Sequence, residues 1–193
     1  MTEQINLVPK RRFKEFHNTQ AWEQRKLGEV AEFNPKSTLP EEFEYVDLES
    51  VVGTKLVSHR TETRKSAPSR AQRLAKKDDI FFQTVRPYQK NNYFFDLPYN
   101  NYVFSTGYAQ LRATISSYFL FCLMQQEKFV SKVLNNCTGT SYPAINSNTL
   151  SEIEVRLSPI KEEQERVGKL LKQLDNTIAL HQRKLEKTKS LKS

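Results

Sequence analysis

A chain of 193 residues is long enough for one domain of ordinary size plus an extension. Its formal charge of +8, from 30 Lys and Arg against 22 Asp and Glu, favours polyanions or acidic membranes as partners. No apolar run reaches the ~18 residues that span a bilayer, and residues 1–20 lack the apolar core of a signal peptide, so a soluble, cytoplasmic protein is expected. Cys122 and Cys137 sit at no metal-ligand spacing, and His17, His59 and His181 are scattered. That argues against a zinc site or a disulfide framework and leaves reduced, buried thiols as the expectation.

Residues 1–20 form a basic N-terminal arm in which Lys10, Arg11, Arg12 and Lys14 alternate with Phe13 and Phe16. Such a terminus is either poorly ordered or packs on the domain or on phosphates. From Trp22 the pattern is that of a folded chain. Residues 27–33 read as a short strand or helix stopped by Asn34-Pro35, and residues 45–48 and 51–52 as short strands. A long polar interval follows. Between Lys55 and Lys90 ten basic residues face Glu62, Asp78 and Asp79, a net +7 that is nearly the whole excess.

Residues 79–88 read as a strand that leaves the core and ends in a loop at Pro87, followed by Gln89, Lys90, Asn91 and Asn92. Residues 101–104 and 107–113 alternate as two strands around a turn at Ser105-Thr106-Gly107. Residues 118–134 carry a broad apolar helical face, residues 139–143 form a loop, and Ile153, Val155 and Leu157 alternate as a last strand.

Ser158-Pro159 then signals a helix start, with Glu162 and Glu163 near the positive end of the dipole. Val167, Leu171, Leu174, Ile178, His181 and Leu185 follow at heptad steps, with Gly168 as a weak point. The helix would be roughly 45 Å long with a narrow apolar stripe, which suits a partner helix better than a fold-back onto its own domain. His181 either marks register or lies near the fraying end. The expectation is an α+β fold: a globular mixed α/β domain over residues 21–158 and a long coiled-coil helix over residues 159–193.

No phosphate-binding glycine loop, nucleophile triad or methyl-donor pattern stands out. Asp78 and Asp79 with Gln83 could suggest a nuclease metal site, but no lysine follows at the right offset. The loop after Pro87 combines Arg and Lys, which bond guanine O6 and N7, with Asn and Gln, which pair with adenine N6 and N7. The chain reads as a binder.

Several segments together resemble the DNA-specificity subunit of Type I restriction-modification systems. These are Trp22-Glu23-Gln24-Arg25-Lys26-Leu27-Gly28-Glu29-Val30, the strand from Asp79-Ile80 into Val85-Arg86-Pro87, Gly139-Thr140-Ser141, and Leu157-Ser158-Pro159-Ile160 with Glu162-Glu163-Gln164. The resemblance implies a non-catalytic target recognition domain followed by a spacer helix. It also implies modification subunits that use S-adenosylmethionine and restriction subunits that use ATP and magnesium, none of these cofactors being held by this chain.

Family members carry two recognition domains and two spacer helices, whereas this chain has one of each. An antiparallel homodimer through Val167, Leu171, Leu174, Ile178, His181 and Leu185 would restore the missing half and present the same surface twice to an interrupted palindrome. Phosphate contacts are assigned to Arg60, Arg64, Lys65, Arg70 and Arg73. Base reading is assigned to Gln83, Arg86, Lys90, Asn91 and Asn92, with Tyr88 and Tyr108 alongside and Ser141 and Tyr142 in the neighbouring loop. A scaffold with a coiled-coil partner and a small metal-dependent nuclease are the alternatives.

Overall fold

The computed structural model describes residues 9–190. Strand β1 (Glu23–Lys26), a single turn α1 (Leu27–Val30) and β2 (Ala31–Phe33) come first, ended by Asn34 at a left-handed φ of 49°. Next are β3 (Glu42–Val46), the hairpin strands β4 (Val51–Val52) and β5 (Lys55–Leu56), then β6 (Arg60–Thr63) and β7 (Ala71–Leu74). Strands β8 (Ile80–Gln83), β9 (Tyr93–Phe94), β10 (Tyr102–Ser105) and β11 (Tyr108–Ala113) build the centre. Helices α2 (Ser117–Met124), α3 (Glu127–Asn135) and α4 (Ser147–Ser151), strand β12 (Glu154–Leu157) and the 30-residue α5 (Lys161–Ser190) complete the fold.

Two four-stranded sheets stack, one in the order β6-β3-β10-β7 and the other β2-β11-β8-β9, while β1 pairs antiparallel with β12. Strand β8 explains the layering. All four of its residues are buried, and Phe81 and Phe82 point to opposite faces, as alternation along a strand requires. Phe82 joins Leu27, Ile80, Leu111, Phe119, Leu120 and Phe129 in the core between its own sheet and the helices. Phe81 enters the core between the sheets, stacked on Phe104 with ring centroids 3.6 Å apart.

Three expectations change. The two strands flanking Ser105-Thr106-Gly107 do not pair with each other; β10 lies in one sheet and β11 in the other, so the turn carries the chain between layers. The helical stretch after Tyr118 is two helices, broken at Gln125-Gln126, where the first helix closes on Cys122 and Leu123 carbonyls. The polar part of the basic interval, between β5 and β8, holds two strands, β6 and β7, on the outer positions of their sheet. Alternation there is hidden because the exposed faces carry Arg and Thr.

The long helix has two parts. Its first half packs on the domain, with α5 crossing α2 at Gly168, where a Cβ would come within 2.8 Å of Ser116 Oγ and 3.1 Å of the Phe119 nitrogen. The expected weak point is therefore the closest contact. Tyr118 donates to Asp175 at 2.6 Å, and Lys172 lies over the Phe94 and Tyr118 rings. Val167 and Leu171 of the expected seam are half-buried, Val167 against the domain's own core. Beyond them Leu174, Ile178 and Leu185 are exposed, with Leu170 beside them and His181 exposed in line.

The described part of the arm is anchored at the base of this helix. Arg12 forks onto Glu163, at 2.6 Å from Nε and 2.7 Å from Nη2, with their side chains 3% and 1% exposed. Arg12 Nη2 also donates to the Gln20 carbonyl, and Trp22 Nε1 and Ser158 Oγ donate to the same carboxylate. Ser158 Oγ in turn accepts from the Ile160 amide, capping a helix that begins at Lys161. Residues 1–8 of the arm and residues 191–193 of the expected helix lie outside the described residues.

Burial opposes ionisation of Glu163, but hydrogen bonds from Arg12, Ser158 and Trp22 and the charge of Arg12 outweigh it and hold the carboxyl below the usual range. Glu163→Gln is accordingly expected to lower stability by about 1–3 kcal/mol at neutral pH, read as a lower urea midpoint. The wild-type advantage should be full above the unfolded value of about pH 4.3 and vanish as pH falls through the depressed folded value.

Candidate nucleic-acid interface

Because β8 is spent on both faces, the chain can present side chains only where the strand ends. It leaves the sheet through a bridge between Val85 and Ala144, and the Arg86 amide donates to the Pro143 carbonyl at 2.8 Å. This pairing seats the loop of residues 86–92 against the loop of residues 138–143. Arg86 and Lys90 bracket the Pro87–Gln89 turn with left-handed φ of 53° and 54°, conformations that cost about 1 kcal/mol or more for side-chain-bearing residues. Side-chain bonds hold the bracket. Gln83 Nε2 donates to the Val85 carbonyl and to Gln89 Oε1, and Asn92 Oδ1 accepts from the Gln83 amide at 2.8 Å while its Nδ2 donates to Gln125.

Gln83 and Asn92, expected to read bases, are therefore internal braces, 2% and 1% exposed. Tyr108 is likewise removed from the surface: its ring is fully buried, its hydroxyl donates to the Asp47 carbonyl, and burial pushes the phenol up. Asn91 is half-exposed and its Oδ1 accepts from the Gly53 amide at 2.8 Å, which ties the β4–β5 hairpin to the loop. That hairpin, with Val52 exposed, went unread as part of a site. The turn signal at Gly53-Thr54, between Val51-Val52 and Lys55-Leu56, was the available clue.

What remains on the surface is a compact set. Tyr88 is exposed, Arg86 lies over the exposed Tyr142 ring with its guanidinium 4.4 Å from the centroid, and Ser141 is exposed beside it. Gly139, at a φ of 83° with the Tyr142 carbonyl 3.0 Å from where a Cβ would stand, makes the sharp turn that brings Tyr142 back over Arg86. Lys90 forms an ion pair with Glu127 and is partly neutralised.

The basic interval divides in the same way. Arg60 is paired with Asp47 and Glu62, each at 2.9 Å, and rests over Tyr45; Arg64 is paired with Glu41 at 2.8 Å. These two were expected to contact phosphate, yet their charge is already answered. Lys65 and Arg70 are exposed with no carboxylate partner among the described residues. Arg73 on β7 is half-buried, its Nε has no hydrogen-bond partner, and burial pushes the guanidinium down. A desolvated, unanswered guanidinium favours an anionic ligand.

These cations join the reading loops through the backbone. The Arg70 carbonyl accepts from the Thr106 amide, and the next carbonyl along, that of Gly107, accepts both the amide and the hydroxyl of Thr84, which adjoins Val85 and Arg86. One end of the domain thus carries Arg70, Arg86, Tyr88 and Tyr142. The acidic pair weighed as a metal site sits elsewhere in the bonding scheme. Asp79 is fully buried and takes both arms of Arg112 at 2.9 Å, Gln110 at 2.7 Å and the Lys76 amide at 2.8 Å. Its oxygens are used by the fold.

A two-sheet domain with loops gathered at one end and a rod-like helix leaving it defines a recognition module. The chain belongs to the Type I restriction modification DNA specificity domain family, which it matches over residues 19–190. Specificity subunits of Type I systems are non-catalytic DNA-recognition subunits. The chain is similar to the Type I restriction enzyme HindI specificity subunit of Haemophilus influenzae, 23% identical over 173 residues that make up 83% of this chain and 36% of that one.

Among solved structures it resembles a chain of a type I R-M system, with a TM-score of 0.71 and 27% identity over 88% of this chain and 46% of that one. The HsdS subunit from Thermoanaerobacter tengcongensis gives 0.65 and 29% over 87% and 46%. The S subunit from M. genitalium, at 16% identity and a TM-score of 0.60 over 88% and 42%, shares the fold. The chain spans less than half the length of these relatives. Among the described residues no helix is long and apolar enough to cross a membrane.

The division between braces and surface is measurable. Asn92→Leu strands the buried Gln83 amide and should cost about 1–3 kcal/mol, lowering the melting temperature, whereas Tyr142→Ala should leave it within about 0.5 kcal/mol of wild type.

Proposed function

We propose that this chain reads one half of a split duplex target for a Type I restriction-modification complex, and that two copies pair through α5 to supply both halves. The observation that carries the first part is the surface at the loop end: Arg86 held against Tyr142, with Tyr88 and Ser141 beside it and Lys65, Arg70 and Arg73 left without carboxylates. Arg86 is the leading base-reading residue, since a guanidinium presents the fork that suits guanine O6 and N7. Lys65, Arg70 and Arg73 hold the backbone.

The second part rests on the exposed stripe of Leu174, Ile178 and Leu185, flanked by Leu170. Apolar residues at heptad steps on one side of a helix otherwise facing water are buried by a second helix. Two antiparallel copies bury the stripe with twofold symmetry and set the heads apart, so the target is an interrupted palindrome. In the assembled complex, modification subunits supply S-adenosylmethionine, and restriction subunits supply ATP and magnesium.

Mobility shifts with cognate and random duplexes test the reading surface. Arg86→Ala is expected to cost about 1–3 kcal/mol of discrimination, while retention of full discrimination would remove Arg86 from the role. Sedimentation tests the pairing. The wild-type chain should have twice the protomer mass and the Leu174→Lys, Ile178→Lys double variant the mass of one protomer, both with unchanged melting of the head.

A further inference from the structure

A second row of cations, apart from the reading loops, runs along α3. It starts where Lys90 of the reading loop is ion-paired with Glu127 in the first turn of α3, which packs on the Pro87–Gln89 turn. Along the helix from that junction come Lys128 and Lys132, both exposed, which with Arg156 of β12 rim a groove floored by Trp22, Leu123, Phe129 and Val155. Pro9 lines the same groove, so the exposed Lys10 and Arg11 that follow it are held nearby by the Arg12–Glu163 lock.

The groove's acid is Glu154, whose carboxylate accepts from Gln24 at 3.1 Å while its backbone carbonyl takes Lys132 Nζ at 2.9 Å. Among the described residues, none of Lys10, Arg11, Lys128, Lys132 and Arg156 has a carboxylate partner. Like charges gathered in this way repel one another, and a polyanion relieves the repulsion.

We infer that this track binds the phosphate backbone of the duplex where it runs on from the half-site, adding affinity without reading sequence. The inference rests on the DNA-reading role proposed above. Its site is new relative to that role, which placed the backbone contacts on Lys65, Arg70 and Arg73. Continuity with the reading loop through Lys90–Glu127 favours a duplex over an acidic protein as the occupant. The nine residues of α3 extend about 13 Å, enough to lie along a short stretch of one strand's backbone.

The test is a salt titration of the full chain on a random-sequence duplex of about 30 base pairs, since backbone binding is independent of sequence. Each phosphate contact contributes about 0.9 to the slope of log affinity against log salt. The Lys128→Ala, Lys132→Ala, Arg156→Ala triple variant is therefore expected to flatten the slope by about 2–3, and the Lys128→Arg, Lys132→Arg variant to retain it. Trp22, the sole tryptophan, lines the groove and gives an independent readout: duplex should change its emission in wild type and not in the triple variant.

An unchanged slope in a folded triple variant that binds as wild type overturns the track and leaves the reading loops standing. Loss of poly-glutamate binding by the triple variant, with its duplex slope intact, assigns the groove to an acidic protein and also overturns it. A wild-type chain without duplex affinity overturns both readings together.

Discussion

Burial of β8 on both faces is the constraint from which the rest of the molecule follows. Phe81 and Phe82, one residue apart, bind the two sheets to each other and the second sheet to the helices, each contributing about 2–3 kcal/mol of apolar burial. A strand used in this way has no free face, so anything it offers to a partner must come from its end. The polar residues at and beyond that end, Gln83 and Asn92, are drawn inside and become the frame of the loop. The left-handed Arg86 and Lys90 are tolerable because that frame over-determines them.

The same economy governs charge. Asp79 is buried at the start of β8 and is satisfied by Arg112, Gln110 and a backbone amide, so an acid that looks chemical in the sequence joins β8 to β11 and to the chain leaving β7. On the outer sheet, Arg60 and Arg64 are neutralised by acids from β6 and from the chain around β3. Net charge alone overstates how many cations a ligand would meet. The cations that matter are those the fold leaves unanswered.

Periodicity made much of this architecture readable. The heptad stripe of α5, the alternation of Ile153, Val155 and Leu157, and the apolar run of β8 each correspond to a real element because each follows from a local repeat. Legibility failed where the deciding partner is far away in sequence. Nothing local distinguishes Gln83, braced by Asn92, from an exposed glutamine, or Tyr108, enclosed between sheets, from a surface ring. Arg12 looked like one of four cations on a loose arm, and only the fold brings Glu163, 151 residues away, to meet it. Gly168 looked like a flaw in a helix because its crossing partner, Ser116, lies at the start of another one.

That glycine has a mechanical consequence. With no side chain at the crossing, α5 and α2 touch nearly backbone to backbone, and Tyr118 clamps the next turns through Asp175. Past the Asp175 clamp the helix runs another 15 residues, a lever of about 22 Å, so a tilt of about 10° at the crossing swings its tip through about 4 Å. Duplex DNA advances about 3.4 Å per base pair, so that swing would misplace whatever the tip carries by more than one base step. A bulkier residue at position 168 would act like a shim under the lever, altering reach without touching any surface that meets a ligand.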